Sequence, residues 1–198
     1  MILYLHGFRS VGNNVKYFIL KNAFKDEEII SPTLPCNPSE TLSLIETIMA
    51  ANTDEFIVIG TSLGGFYAYY TAVMHNIPAA LINPSLRPWE TLPSQVGMQR
   101  RIETGEPFEW KAEYQDFLRD MNDRIENMGV PDHYLSFFLS TDDELIDHSQ
   151  IPLQFPFARN VKFFDNSGHI FTRFQELVPY FREILKETKM ESGEAGDD

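Results

Sequence analysis

The sequence has a single cysteine and no long apolar run. Cys36 is the one cysteine among 198 residues, which excludes an internal disulfide and a cysteine-rich metal site. No stretch approaches the roughly 20 apolar residues that a membrane helix needs. The apolar run at residues 1–5 is too short for a signal-peptide core and has no basic stretch before it. Together these features predict a cytoplasmic protein without a membrane partner.

Basic residues are also scarce. The chain has 16 Lys and Arg against 29 Asp and Glu, for a net charge of −13. Proteins that bind nucleic acid meet the phosphate backbone with clustered Lys and Arg, so the composition argues against nucleic acid as a partner. Hydrophobic residues make up 43% of the chain, which is typical of a globular domain.

Short apolar segments alternate with helical patterns along the chain. Strands are predicted at residues 2–5, 28–31, 56–59, 79–82, 134–139 and 161–164. Helices are predicted at residues 15–24, 38–52, 66–74 and 173–187, and Asn37 and Pro38 suit the N-cap and first helical position of the second. This alternation predicts an α/β fold whose mostly parallel sheet has about six strands.

Residues 87–131 lack a strand signal and are rich in acidic residues. Between residues 102 and 147 there are 13 acidic and 3 basic side chains. We interpret residues 87–131 as a small helical lid inserted above the sheet. The prediction is a single domain over residues 1–187, followed by a flexible acidic tail over residues 188–198.

The chemistry-bearing motif lies between a predicted strand and a predicted helix. Residues 60–64 read Gly-Thr-Ser-Leu-Gly, the pattern of a nucleophile elbow, which predicts Ser62 as a nucleophile on a sharp strand-to-helix turn. Its alternative is a glycine-rich turn that only packs or holds a phosphate. In the first interpretation the fold is a three-layer α/β-hydrolase fold.

A serine nucleophile needs a histidine base, and His169 meets that requirement. His169 follows the last predicted strand, after the residues 166–168, where a catalytic loop belongs. In α/β-hydrolases the chain order is serine, acid, histidine. His148 directly follows the acidic candidates and lies outside that order.

The acid comes from the run that follows the predicted strand ending at residue 139. Asp143 is favoured because an apolar pair two and three residues later can anchor its loop. Asp142 and Glu144 remain alternatives. At least two of the carboxylates in residues 142–147 are expected to form a solvated acidic turn.

Acyl transfer also needs two donors for the developing oxyanion and a pocket for the acyl group. The backbone N–H groups of Leu63 and Phe8 are the predicted donors, one after the nucleophile and one in the loop after the first strand. The predicted substrate-binding residues are Phe66, Tyr67, Trp89 and Phe171. No cofactor and no metal ion are expected, and the substrate is a small molecule.

The chain resembles the YqiA-type esterase family in segments that run in order from residue 1 to about residue 186. These segments are residues 3–8, the proline-rich 32–38, 60–67, 83–88 with Asn-Pro-x-x-Arg-Pro, 143–144 and 168–169. The resemblance implies a reduced α/β-hydrolase with esterase activity on acyl esters, extending to acyl-CoA thioesters. It also implies Ser62, Asp143 and His169 as the triad, with Thr61 standing where relatives often have serine.

Three functions are therefore weighed. The first is a serine esterase that hydrolyses small to medium acyl esters through an acyl-enzyme. The second is an acyl-CoA thioesterase, whose polyanionic leaving group would be repelled by the acidic lid unless Arg9, Arg87, Arg100 and Arg101 offset it. The third is a catalytically silent binding protein that keeps the hydrolase fold.

Overall fold

Six short apolar segments form one parallel sheet. The computed structural model describes residues 1–52, 56–129 and 132–194. The strands of the sheet are β1 (Ile2–Leu5), β2 (Ile29–Ile30), β3 (Ile57–Thr61), β4 (Ala79–Ile82), β7 (Leu135–Ser140) and β8 (Asn160–Phe164), and a separate hairpin has β5 (Gly97–Arg100) and β6 (Pro107–Trp110). The strand order is β2-β1-β3-β4-β7-β8, and all neighbours are parallel. The prediction of a mostly parallel sheet of about six strands is confirmed.

Helices cover both faces of this sheet. They are α1 (Val15–Ala23), α2 (Pro38–Ala51), α3 (Leu63–His75), α4 (Pro88–Thr91), α5 (Tyr114–Met128), α6 (Ile151–Gln154) and α7 (Val178–Glu194). Alternate strand residues point to opposite faces, so Leu3 and Val58 join a core with α2, α3 and α5, whereas Ile2 and Ile57 join a core with α1 and α7. The fold thus has three layers, and both faces of its central strands are buried.

The start of α2 follows the capping pattern of its sequence. The side chain of Asn37 accepts a hydrogen bond from the backbone N–H of Ser39 at 3.0 Å, and Pro38 is the first helical residue. Proline suits this position because its missing N–H would have no partner there. This prediction is confirmed.

The segment predicted as a helical lid contains both helices and strands. It contains α4, the antiparallel hairpin β5–β6 and α5, so the expectation of helices and loops alone is wrong. The hairpin strands have four residues each and are largely exposed, and so leave no apolar run in the sequence. Helix α5 packs against α2, α3 and α4 through one buried face, and it forms the crossover between β4 and β7.

The C-terminal helix is longer than its sequence pattern indicates. A short 3-10 turn at residues 174–177 precedes α7, and α7 includes residues 188–194, which were predicted to belong to a flexible tail. Residues 195–198 of that tail and residues 130–131 of the predicted lid lie outside the described residues. None of the helices that the structure describes is both long and apolar enough to cross a membrane.

Candidate active site

Loops that carry the predicted site residues meet at one edge of the sheet. Gly7 follows β1, Ser62 follows β3, Asn83 follows β4, Asp143 follows β7 and His169 lies beyond β8. Because these strands are parallel, their carboxyl ends share an edge, and this is the edge where open α/β sheets bind ligands.

Ser62 occupies a sharp turn between β3 and α3. Its φ of 53° and ψ of −120° lie in a region that non-glycine residues rarely adopt. The turn is tight because Gly64 packs directly on β1: a Cβ at this position would lie 2.1 Å from the carbonyl oxygen of Leu5 and 2.4 Å from that of His6. Only glycine fits there, so the sequence motif has a steric cause.

The Ser62 hydroxyl and the His169 ring are in hydrogen-bond contact. Ser62 Oγ lies 2.9 Å from His169 Nε2, and His169 Nδ1 lies 2.9 Å from Oδ2 and 3.0 Å from Oδ1 of Asp143. An ionised carboxylate only accepts hydrogen bonds, so Nδ1 carries the ring proton and Nε2 is free to accept from the serine. The three side chains thus form a chain of contacts in the order that general-base activation requires.

Asp143 is almost fully enclosed. Its side chain is 1% exposed, and its carboxylate also accepts hydrogen bonds from the backbone N–H groups of Leu145 and Ile146 and from His148 Nε2. Burial opposes ionisation, but the hydrogen bonds from His148 and His169 outweigh it and hold the pKa of Asp143 well below its usual range. The carboxylate is therefore charged at neutral pH.

The other two candidate acids bind the backbone of the histidine loop. Asp142 Oδ1 accepts from the N–H groups of Ser167 at 3.0 Å and Gly168 at 3.3 Å, and Glu144 Oε2 accepts from the N–H of His169 at 2.9 Å. Neither carboxylate contacts the His169 ring among the hydrogen bonds of the described residues. The expectation that two of these acids form only a solvated turn is wrong for this pair, because both hold the loop.

Asn83 is a further member of the site and was not among the predicted site residues. Its side-chain amide donates to the carbonyl oxygens of Gly168 and His169 at 2.9 and 3.1 Å, and its Oδ1 accepts from the N–H of Ser140 at 2.7 Å. It is 1% exposed and has a φ of 41°, a conformation that asparagine tolerates better than most residues. Its place in the Asn-Pro-x-x-Arg-Pro segment was the available signal.

The predicted oxyanion donors have no acceptor among the residues that the structure describes. Neither the Phe8 nor the Leu63 backbone N–H donates to another residue that the structure describes. A turn closed by the Ser10 N–H on the Gly7 carbonyl carries Phe8, and a Cβ added to Gly7 would lie 3.3 Å from Ser62 Cβ. The loop after β1 thus lies directly against the serine turn.

His6 anchors the start of the loop after β1. Its Nδ1 lies 2.8 Å from the Gly7 carbonyl and its Nε2 accepts from the Leu34 N–H at 2.9 Å, which requires the neutral ring with a proton on Nδ1. Burial lowers the pKa of His6 to about 4, so the ring stays neutral at physiological pH. Arg101 of the hairpin donates to the carbonyls of Ser10 and Leu34 and joins the same two loops.

A small cavity of about 30 Å³ adjoins the two oxyanion residues. Its walls are His6, Gly7, Phe8, Arg9, Leu34, Pro35, Cys36, Leu63, Tyr67, Arg101, Phe108 and Trp110. The ring of Phe8 packs edge-on against Trp110 at 5.0 Å and Phe108 at 5.7 Å, so the hairpin closes the cavity. Neither of these two hairpin aromatics was predicted as a site residue, because a four-residue strand is too short to show a pattern.

Of the four predicted substrate-binding residues, Tyr67 lines this cavity and the other three do not. Phe66 is fully buried and packs edge-on against Trp89 at 6.2 Å in the core that α3 joins. Phe171 belongs to the core on the opposite face of the sheet. Closeness in sequence to the motifs therefore did not bring these three side chains to the cavity, and a substrate-binding role for them stays a prediction.

A larger cleft lies on the far side of the acid loop. It has a volume of about 540 Å³, and its walls are Ser140, Thr141, Asp143, Glu144, Leu145, Ile146, Asp147, His148, Ser149 and Phe163. Neither Ser62 nor His169 lines it. Neither residue lines the smaller cavity, but its walls include Leu63, which follows Ser62, and Gly7, where an added Cβ would lie 3.3 Å from Ser62 Cβ. Closeness to Ser62, and not size, therefore favours the smaller cavity.

Sequence comparison places the chain in a family. It matches UPF0227, described as an uncharacterised protein family, over residues 1–186. The chain belongs to the UPF0227 family. A relative from Shewanella baltica strain OS155 is 24% identical over 185 residues, which cover 90% of this chain and 96% of that protein. A Shewanella woodyi relative is 33% identical over 102 residues, and the match spans 48% of this chain and 57% of that relative's length.

Comparison with solved structures identifies the fold. Est1E from Butyrivibrio proteoclasticus superposes with a TM-score of 0.64 at 12% identity, covering 96% of this chain and 88% of Est1E. A monoacylglycerol lipase from Paleococcus ferrophilus superposes with a TM-score of 0.68 at 13% identity, covering 94% of both chains. At such identities the likeness concerns the fold alone. This UPF0227 chain has the α/β-hydrolase fold.

Proposed function

We propose that this chain is a serine esterase that hydrolyses small to medium acyl esters through an acyl-enzyme. The observation that carries the proposal is the continuous hydrogen-bonded chain from Ser62 through His169 to Asp143, with Ser62 held at a φ of 53°. The name of one structural neighbour, a monoacylglycerol lipase, is consistent with it.

The steps follow from the proton positions. His169 Nε2 accepts the hydroxyl proton as Ser62 Oγ bonds to the acyl carbon, and the negative charge of Asp143 stabilises the imidazolium that forms. The carbonyl oxygen becomes an oxyanion and accepts hydrogen bonds from the N–H groups of Phe8 and Leu63. His169 then returns its proton to the departing alcohol, which leaves an acyl ester on Ser62.

Water completes the reaction by the same route. His169 takes a proton from water, the resulting hydroxide adds to the acyl carbon, and collapse of the second oxyanion releases the carboxylic acid and returns the proton to Ser62. The cavity beside Phe8 and Leu63 has a volume of about 30 Å³, which favours short acyl groups unless the hairpin moves.

The acyl-CoA thioesterase has less support. Arg87 pairs with an exposed glutamate, and Arg9, Arg100 and Arg101 donate to backbone carbonyls, so all four arginines considered are already engaged. Turnover of acyl-CoA relative to p-nitrophenyl esters should rise with salt if the acidic segment repels the thioester. An unchanged ratio contradicts that electrostatic argument.

Labelling by a fluorophosphonate tests the proposal directly. We expect one covalent adduct on Ser62, its loss in Ser62→Ala, and loss of p-nitrophenyl ester hydrolysis in the same variant. Ser85→Ala is the matched control, because that buried hydroxyl contacts Thr91 and its loss leaves the proposed triad intact. A folded wild-type protein that takes up no label would favour a silent binding protein.

A further inference from the structure

A second histidine contacts the carboxylate of Asp143. His148 Nε2 lies 2.9 Å from Oδ2, the oxygen that also lies 2.9 Å from His169 Nδ1. The side chains of His148 and Asp143 are 2% and 1% exposed. Two imidazoles therefore share one buried carboxylate, and only one of them reaches Ser62.

The direction of the bond from His148 follows from the chemistry of the acceptor. The Asp143 carboxylate is ionised and cannot donate, so His148 Nε2 must carry a proton and donate it. The opposite oxygen accepts from two backbone N–H groups, those of Leu145 and Ile146. With both oxygens held, the carboxylate cannot rotate away from His169.

We propose that His148 is a positioning residue for the proposed esterase reaction. Its N–H holds the Asp143 carboxylate in the plane that faces His169 and withdraws part of its negative charge. Less charge then remains to stabilise the imidazolium of His169, so His148 sets how basic His169 is. This inference rests on the proposed serine-esterase function.

Other charged groups surround this pair and are already bonded. Asp142 and Glu144 accept from backbone N–H groups of the histidine loop, and Asp147 accepts from the Ser149 N–H. Across from the acid loop, Asp165 accepts from the Thr141 hydroxyl. Because none of these bonds involves His148, we expect the carboxylates to keep their partners when His148 is replaced, so that a change in pH dependence reports the loss of its N–H.

Two substitutions separate a positioning role from a packing role. His148→Phe keeps the ring and removes the donor, whereas His148→Gln retains an N–H near the position of Nε2. We expect His148→Phe to lower kcat about 10-fold to 100-fold with little change in KM, the range of a hydrogen bond to a charged group. His148→Gln should recover most of this loss.

The pH profile is the readout that packing would not change. Without the donor, more negative charge stays on Asp143 and favours protonated His169, so the acid limb of kcat/KM should move to higher pH in His148→Phe and return in His148→Gln. His75→Phe is the matched control. His75 at the end of α3 pairs with Glu46 of α2 at 3.0 Å, and neither residue belongs to the site loops, so this variant should leave the limb unchanged. An unmoved limb in His148→Phe overturns the proposal.

A measurement on the wild-type protein removes any dependence on folding of the variants. Long-range proton–nitrogen NMR of the histidine rings should show His148 protonated at Nε2, and a neutral His148 protonated at Nδ1 alone would overturn the proposal. Ser62→Ala distinguishes the two levels of inference. If that variant retains full activity the esterase proposal fails, whereas a dead Ser62→Ala with an unmoved His148→Phe limb refutes the role of His148 alone.

Discussion

The side chain of Asn83 joins the loop of His169 to strand β7. Its amide donates to the His169 carbonyl at 3.1 Å while its Oδ1 accepts from the Ser140 N–H at 2.7 Å. Strands β4, β7 and β8 end beside one another, so one buried side chain sets the spacing of the loops that carry the acid and the histidine.

Asn83→Asp should lower kcat about 10-fold or more without unfolding the protein. The change replaces two donated hydrogen bonds by repulsion between a carboxylate and two carbonyl oxygens, which shifts the histidine loop. Ester hydrolysis and thermal denaturation should be measured together. Asn76→Asp is the control, since Asn76 has a similar φ of 56° at the exposed end of α3. Equal losses in both variants would contradict the role assigned to Asn83.

Replacement of the three candidate acids should give unequal losses. Asp143→Asn should cost about 10⁴-fold in kcat, because an amide cannot stabilise the imidazolium and can present a donor to the ring. Asp142→Asn and Glu144→Gln should cost less than about 10-fold, since an amide oxygen still accepts from the loop N–H groups. Steady-state kinetics on one ester decides this. If Asp142→Asn or Glu144→Gln matched Asp143→Asn, the assignment would be wrong.

Gly64→Ala should destabilise the fold by about 3 kcal/mol or more, because the new methyl would overlap two backbone carbonyl oxygens that cannot move independently of β1. Gly105→Ala is the comparison: it has a φ of +72° but open space, so its cost is a backbone cost of about 1 kcal/mol. Urea unfolding followed by circular dichroism measures both. Similar midpoints for the two variants would show that the approach of α3 to β1 can relax.

His6 should make stability depend on pH in a defined window. Its pKa is lowered by burial from 6.5 to about 4, so unfolding takes up a proton below pH 6.5. The stabilisation is complete above pH 6.5 and is lost as the pH falls toward 4, by on the order of 3 kcal/mol. His6→Gln keeps a donor and an acceptor and should lack this component. Denaturant unfolding at pH 7.5 and 4.5 tests it, and parallel curves for both proteins would refute it.

Much of the fold could be predicted from the sequence because its signals are local. The segments at residues 2–5 and 79–82 coincide with β1 and β4, since a strand buried on both faces is a continuous apolar run. The Asn37 cap is equally local, because its partner is two residues away. The hairpin β5–β6 escaped prediction because its short exposed strands are stabilised by contacts with the loop after β1.

In the candidate site, too, some features follow from local sequence and others depend on contacts between distant loops. Ser62 follows from a local motif, because the steric demand for glycine on either side of the turn is written into five consecutive residues. Which acid meets His169 was open among Asp142, Asp143 and Glu144, and that depends on how the loop after β7 folds against the loop after β8.

By itself the sequence determined the order of the six sheet strands along the chain, the turn that carries Ser62 and the exclusion of an internal disulfide. Only the tertiary structure decided that Asp143 faces His169, that His148 lies behind it and that Asn83 joins the loops. Propensity and periodicity act over a few residues, whereas most of these contacts join positions 26 to 107 residues apart. The contact between His148 and Asp143 spans five residues and depends on how their loop folds. Such contacts are fixed by the register and packing of a parallel sheet, which no short stretch of sequence encodes.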